Sequence, residues 1–403
     1  MRCSLRFFKM YDMTKQTNRL LALDVLRGIT IAGMILVNDP GSWGAVYAPL
    51  CHASWNGLTP TDLVFPFFMF IMGVSMYFSL RKYDFTFSGE AAVKIFRRAA
   101  IIFLIGVGIN WFALWFSAVC SQEEMPLGER LTLNLFPFDR LRILGVMQRL
   151  AIAYLGGALL SLWIKPKYYL WAAFGILSGY FFILWVGDGF ARSADNIIAV
   201  VDRTVFGVNH LYGEWLPDGT RIAFDPEGLL SALPCVAHVL LGMFIGRVLV
   251  EAKDNTLRIQ RLFIFGTFIL FAGFLLQYGC PINKKIWSPT YVLVTCGLAS
   301  QLLALLIFVI DVKGYKRWSR FFEAFGVNPL FIYVLADVLA IVLGYVHFFR
   351  QGEYISLQGY IYSAGLASWL DPYFASLVYA VLFVFLNWCV ARVLYKRKIY
   401  IKI

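Results

Sequence analysis

Charge is what this 403-residue chain has least of. Only 15% of its residues are Asp, Glu, Lys or Arg, against about 25% in an average soluble domain. Hydrophobic residues make up 60% and mean hydropathy is +0.69, so there is too little charge to cover a water-facing surface. The seven cysteines form no Cys-x-x-Cys pair and no Cys/His set at metal-ligand spacing, which argues against a zinc site or a disulfide scaffold. No internal repeat is evident, so the inverted repeats of many transporters are not suggested. Disorder, coiled coil and collagen are excluded by the same composition. What remains is an all-α, polytopic membrane helix bundle.

A bilayer core of about 30 Å needs roughly 20 apolar residues per helix. Ten stretches qualify: 20–37, 61–80, 99–117, 143–163, 168–186, 229–246, 262–277, 290–310, 321–343 and 373–391. The first, sixth and seventh are short or polar for a lipid-facing span and are expected inside the bundle or little tilted. Asn328-Pro329 predicts a kink in the ninth. Residues 355–370 are apolar but short, as an interfacial or re-entrant piece would be.

The net charge of +12 would suggest nucleic acid in a soluble protein. Here its distribution is what matters. The N-terminal tail, the loops at 81–98, 165–167, 247–261 and 313–320, and the C-terminal end hold 25 of the 36 Lys and Arg residues, and the alternate loops hold 9. That split places both termini in the cytoplasm and leaves no nucleic-acid surface to explain. The expected organisation is a cytoplasmic tail over 1–19, a membrane domain over 20–395 and a basic cytoplasmic tail over 396–403. No cleavable signal peptide is expected, because the first apolar run carries Asp24 and Arg27. Two long loops, 38–60 and 187–228, face the other side.

Ionisable residues inside a bilayer are functional candidates because they are costly there, at least about 2.5–3.5 kcal/mol each. Asp24 and Arg27 stand three apart on one helix face and can pair. A packing ion pair and a ligand role both remain open for them. Arg149 has the choice of contacting a phosphate or pantetheine group, holding a helix break, or pairing with Asp24. Asp337 lines a pathway or makes a contact between helices. His238 reads as a packing residue. His52 differs, because it lies in the polar, aromatic run Cys51–Asp62 at the outer mouth, which Asn38 at the end of the first span also faces. An imidazole there is either an interfacial loop residue or a base able to take a proton from an amine or hydroxyl. A neighbouring carboxamide can orient such a ring or donate to a developing oxyanion.

The segments Leu23–Gly28, Met34–Asn38, His52–Thr59 (HASWNGLT) and Asp62–Gly73 together resemble the heparan-α-glucosaminide N-acetyltransferase family and its bacterial members. Gly145–Leu150, Asp225–Gly228, Ile282–Ser288 and Asp311–Gly314 extend the resemblance, in order, over nearly the whole membrane region. It implies a dimeric multi-span acyltransferase, taking acetyl from cytoplasmic acetyl-CoA to the amino group of a terminal glucosamine on the far side. It further implies that His52 is catalytic and that Asn38 stands beside it. Asp24, Arg27 and Arg149 are the expected acetyl-CoA contacts, and no metal is expected. The partners are then acetyl-CoA, an amino-sugar acceptor, lipid and a second copy, in a bacterial inner membrane.

Three departures from the family's pattern stand out. The stretch between Asn38 and His52 is longer than expected, Leu335-Ala336-Asp337 replaces a histidine on the ninth helix, and the large luminal N-terminal portion is missing. The competing reading is a permease for N-acetylglucosamine or a related amino sugar, which would use the same buried charges without chemistry.

Overall fold

The computed structural model describes residues 20–121, 125–133, 135–350 and 352–401. The 1–19 tail and the last two residues of the 396–403 tail lie outside them. In chain order the elements are α1 (Leu21–Asn38), α2 (Val64–Leu80), α3 (Gly89–Ser121), α4 (Leu127–Leu133), α5 (Val146–Trp163), α6 (Tyr169–Val186) and α7 (Ile197–Phe206). A small antiparallel pair follows, β1 (Gly213–Trp215) and β2 (Arg221–Ala223), with Trp215 opposite Arg221. Then come α8 (Leu233–Glu251), α9 (Asn255–Leu276), α10 (Pro289–Leu306), α11 (Ser319–Val327) and α12 (Pro329–Tyr345). A second pair, β3 (His347–Arg350) and β4 (Glu353–Ser356), precedes α13 (Leu357–Tyr360) and α14 (Pro372–Lys396).

Helices begin where the sequence supplies a cap. Asp254 accepts from the Leu257 amide at the start of α9 (2.8 Å). Asp371 accepts from the amides of Tyr373 and Phe374 at the start of α14, where Pro372 takes the first helical position. Both arrangements satisfy amides that a helix leaves unpaired at its N-terminus.

Among the described residues, 9 helices are long and apolar enough to cross a bilayer, and α11 with α12, bent by 87° at their break, make a tenth when the pair is counted as one span. The bend falls at Asn328-Pro329, the expected kink. The protein is an α-helical integral membrane protein. The first and sixth expected spans, α1 and α8, are largely buried. The seventh is not. On α9 the side chains of Ile264, Phe268 and Leu275 are 71%, 74% and 73% exposed. Its charged and carboxamide residues, Asn255, Arg258, Gln260 and Arg261, all fall in the first two turns of a 22-residue helix, and the rest is apolar enough to face lipid. The helix begins seven residues before the expected 262–277 stretch, so its polar first turns supply length that the apolar run alone lacks.

The described residues divide into two compact units, one from the start of α1 to Cys51 together with Leu305 onward, the other His52–Ala304. In the second unit α2 and α8 approach through glycine. A Cβ on Gly73 would meet the Val239 carbonyl oxygen at 2.3 Å, and one on Gly242 would meet that of Phe70 at 2.4 Å. Gly242 and Gly246 stand in the small-xxx-small spacing that lets helix backbones approach closely in a membrane. Gly242→Ala is therefore expected to push backbone against backbone and to lose about 1–3 kcal/mol, the usual range for overpacking. A lower midpoint of thermal unfolding in detergent would show it; an unchanged midpoint would mean that the two helices separate freely.

Candidate functional site

The second unit opens on His52, and its first helical turn aims that histidine. Residues Pro60–Leu63 form a 3-10 turn leading into α2, with Thr59 as the capping residue. Asp62 completes the capping box: its Oδ2 accepts from the Thr59 amide (3.1 Å), the Thr59 hydroxyl (3.0 Å) and the Ala53 amide (3.1 Å). Its Oδ1 faces His52 Nδ1 at 2.6 Å. The carboxylate is fully buried, whereas the His52 side chain is 47% exposed. An ionised carboxylate only accepts, so Nδ1 donates to it, and in the neutral imidazole Nε2 then holds the lone pair that can act as a base.

A tight loop brings a cation to the same place. Between α9 and α10 the amides of Trp287 and Ser288 close back onto the carbonyls of Lys284 and Asn283 (both 3.0 Å). Asn283 Nδ2 donates to Asn56 Oδ1 (3.1 Å), and the Tyr180 hydroxyl donates to the Ile286 carbonyl (2.6 Å). Lys284 Nζ thereby stands 3.1 Å from His52 Nδ1, 3.3 Å from Nε2 and 3.5 Å from Asp62 Oδ1. Burial holds the Lys284 ammonium below the usual lysine range, against the pull of Asp62 and Glu227. Lys285, its neighbour, is engaged elsewhere: with Arg192 it meets Glu214, each at 2.6 Å.

Trp287 anchors this loop from below. It is fully buried, with φ of +50°, a conformation unfavourable for a bulky residue. The rings of Phe65 and Tyr291 meet it edge-on at 5.4 and 5.0 Å, and His238 lies at 5.9 Å. The Tyr291 hydroxyl donates to the Asp62 backbone carbonyl (2.6 Å), tying α10 to the turn that carries the dyad. His238 is thus the packing residue expected. Arg149 is 1% exposed, lies over the Trp287 ring at 5.0 Å, and donates to the Ser231 hydroxyl.

A charged clasp closes the same unit. Arg142 grips Asp225 through two nitrogens (2.9 and 2.6 Å) and reaches Glu227 at 2.8 Å. Asp225 also accepts from the amides of Tyr212 and Glu227 (3.0 and 2.9 Å).

The other expected residues belong to the first unit. Asp24 and Arg27 do pair, at 3.1 Å, and Arg27 also reaches the Gly326 carbonyl at 3.3 Å. Asn38 is the last residue of α1. Just beyond it, burial and then the charge of Asp337 push the Asp39 carboxyl well above the usual carboxylate range. Asp62, Lys284 and Trp287 carry the geometry around His52 and had been assigned no role. Thr59-Pro60-Thr61-Asp62 ahead of an apolar run was a legible capping signal; the lysine, 232 residues from His52, was marked only by the resemblance of Ile282–Ser288, which does not point to His52.

No family model matches the sequence. Two curated proteins do: the heparan-alpha-glucosaminide N-acetyltransferase of Mus musculus, 29% identical over 374 residues, and that of Homo sapiens, 29% identical over 376. The alignments cover 80% and 79% of this chain and 54% and 53% of those proteins. The chain is a relative of that N-acetyltransferase family. It spans about half the length of the curated N-acetyltransferases it matches.

Proposed function

We propose that the chain is a transmembrane acetyltransferase, moving acetyl from cytoplasmic acetyl-CoA to the amino group of a glucosamine-type sugar on the far side of a bacterial inner membrane, as a homodimer. The observation that carries this reading is the His52–Asp62 dyad, in a relative of proteins named as N-acetyltransferases. A glucosamine amine must shed a proton before or as it attacks a thioester carbonyl. His52 Nε2 takes that proton, and Asp62 steadies the imidazolium that results.

Arg149, whose Nε has no hydrogen-bond partner among the described residues, contacts the pantetheine end of acetyl-CoA. Its burial beside Trp287 suits an amide or thioester oxygen better than a hydrated phosphate. Asp24 and Arg27 shape the cytoplasmic part of the path as a pair.

The test is incubation of the purified protein with labelled acetyl-CoA and glucosamine. Labelled N-acetylglucosamine is the expected product. Transport of the sugar into liposomes without consumption of acetyl-CoA would instead establish the permease.

A further inference from the structure

The ammonium of Lys284 has no evident duty in a simple base mechanism, yet it lies against both working groups. Its near-equal distances from the two ring nitrogens of His52, 3.1 and 3.3 Å, exclude a position in the ring plane, where it would overlap the carbon between them. Nor can it donate to Nδ1, whose proton is given to Asp62. The ammonium therefore lies over the face of the imidazole and leaves the Nε2 lone pair open to a substrate.

That placement defines where a reacting group would meet it. An amine giving its proton to Nε2 must lie about 3 Å beyond that nitrogen. The carbonyl carbon it attacks is its immediate neighbour, so the carbonyl oxygen falls within reach of a cation 3.3 Å from Nε2. We propose that Lys284 is a second catalytic residue, its ammonium donating to the thioester oxygen as negative charge develops there; this rests on the acetyltransferase reading above. The amine nitrogen forms a bond to the carbonyl carbon and the charge moves onto the oxygen held by Lys284. The amine proton passes to His52 Nε2. As the oxyanion collapses the carbon–sulfur bond breaks, and the coenzyme leaves as thiolate, reprotonated by the imidazolium.

The loop explains why only one of two consecutive lysines serves. Lys285 is held by Glu214, whereas the charged groups that act on Lys284 are Asp62, His52, Glu227 and Arg149. Because burial lowers the Lys284 ammonium below the ordinary lysine range, the donor form is lost as pH rises through that depressed value. Transfer should then fall on the alkaline side earlier than a free lysine would allow. An arginine at the position stays charged, and moves that fall to higher pH.

The experiment compares the full-length wild type with Lys284→Met, Lys284→Arg and Lys285→Met, reading kcat, the KM for acetyl-CoA and the alkaline limb of the rate. Removing one oxyanion donor costs about 10²–10³ in kcat. Lys284→Met is expected to show that loss with an acetyl-CoA KM close to wild type, and Lys285→Met to leave kcat unchanged. Lys284→Arg should recover part of the rate and shift the alkaline limb upward, which a misfolded protein would not do. A Lys284→Met protein with wild-type kcat overturns the proposal while leaving the acetyltransferase reading intact, and so does an Arg variant with an unmoved alkaline limb. A wild type that transfers no acetyl overturns both.

Discussion

His52→Ala is expected to lower acetyl transfer by about 10²–10⁴, the usual worth of positioned general-base assistance, while acetyl-CoA still binds. The loss should appear in kcat, since the imidazole acts on the reacting amine and not on the coenzyme. Asp62→Asn gives the complementary result. An asparagine has one acceptor oxygen where the carboxylate uses both: Oδ2 for three donors of the turn, Oδ1 for His52. If the carbonyl oxygen stays with the turn, the amide presents N–H to Nδ1, which favours the tautomer with the proton on Nε2. Activity should then fall almost as far as in His52→Ala, with the protein still folded. Wild-type turnover by either variant, measured with labelled acetyl-CoA, would remove the dyad from the mechanism.

The largest effect on stability is expected at Arg142. Asp225 is fully buried, and burial alone would raise its carboxyl. The Arg142 guanidinium, hydrogen-bonded and charged beside it, overrides burial and holds it below the usual carboxylate range. Arg142→Ala leaves a buried carboxylate without its cation, a change that typically costs about 3–5 kcal/mol. The side chain of Arg142 is 29% exposed, so about 3 kcal/mol is the reasonable expectation. The sign of the pH dependence follows from the depressed carboxyl. Its stabilisation is fully present above the unfolded carboxylate value and is lost as pH falls through the folded one. Thermal unfolding in detergent should therefore show a stable wild type at neutral pH that weakens on acidification, and an Arg142→Ala protein already weakened at neutral pH. Combining Arg142→Ala with Asp225→Asn should recover much of the loss, because the fully buried carboxylate is gone and only the partly exposed Glu227 is left without the cation. Equal unfolding midpoints for the single and double variants would contradict this account.

The spans were legible because each is a long local signal. Apolar length marks it and Pro329 marks its break; no distant contact is needed to read either. The seventh span was read as too short for lipid because the helix starts in a polar segment, residues 255–261, that the apolar run 262–277 leaves out. The site was legible only in part. His52 stood out through its motif, and Asp24 and Arg27 through their spacing, which the structure keeps as an ion pair. Lys284 could not be read in this way, because its meeting with His52 depends on how the 277–288 loop folds. Nor could the left-handed backbone of Trp287, since glycine is the residue such a conformation ordinarily calls for.

The division of labour within Asp62 has a consequence for the energy of the reaction itself. Three donors fix one carboxylate oxygen as part of starting a helix, so the other cannot swing to follow a different partner without undoing that start. When the imidazole becomes charged, the dipole opposing that charge is already in place, and nothing nearby has to turn to meet it. Water still meets the half-exposed ring and would reorient at each proton transfer. On the Asp62 side folding has done that reorientation beforehand, so in the proposed reaction the rigidity of a membrane span's first turn becomes a lower reorganisation energy at the base.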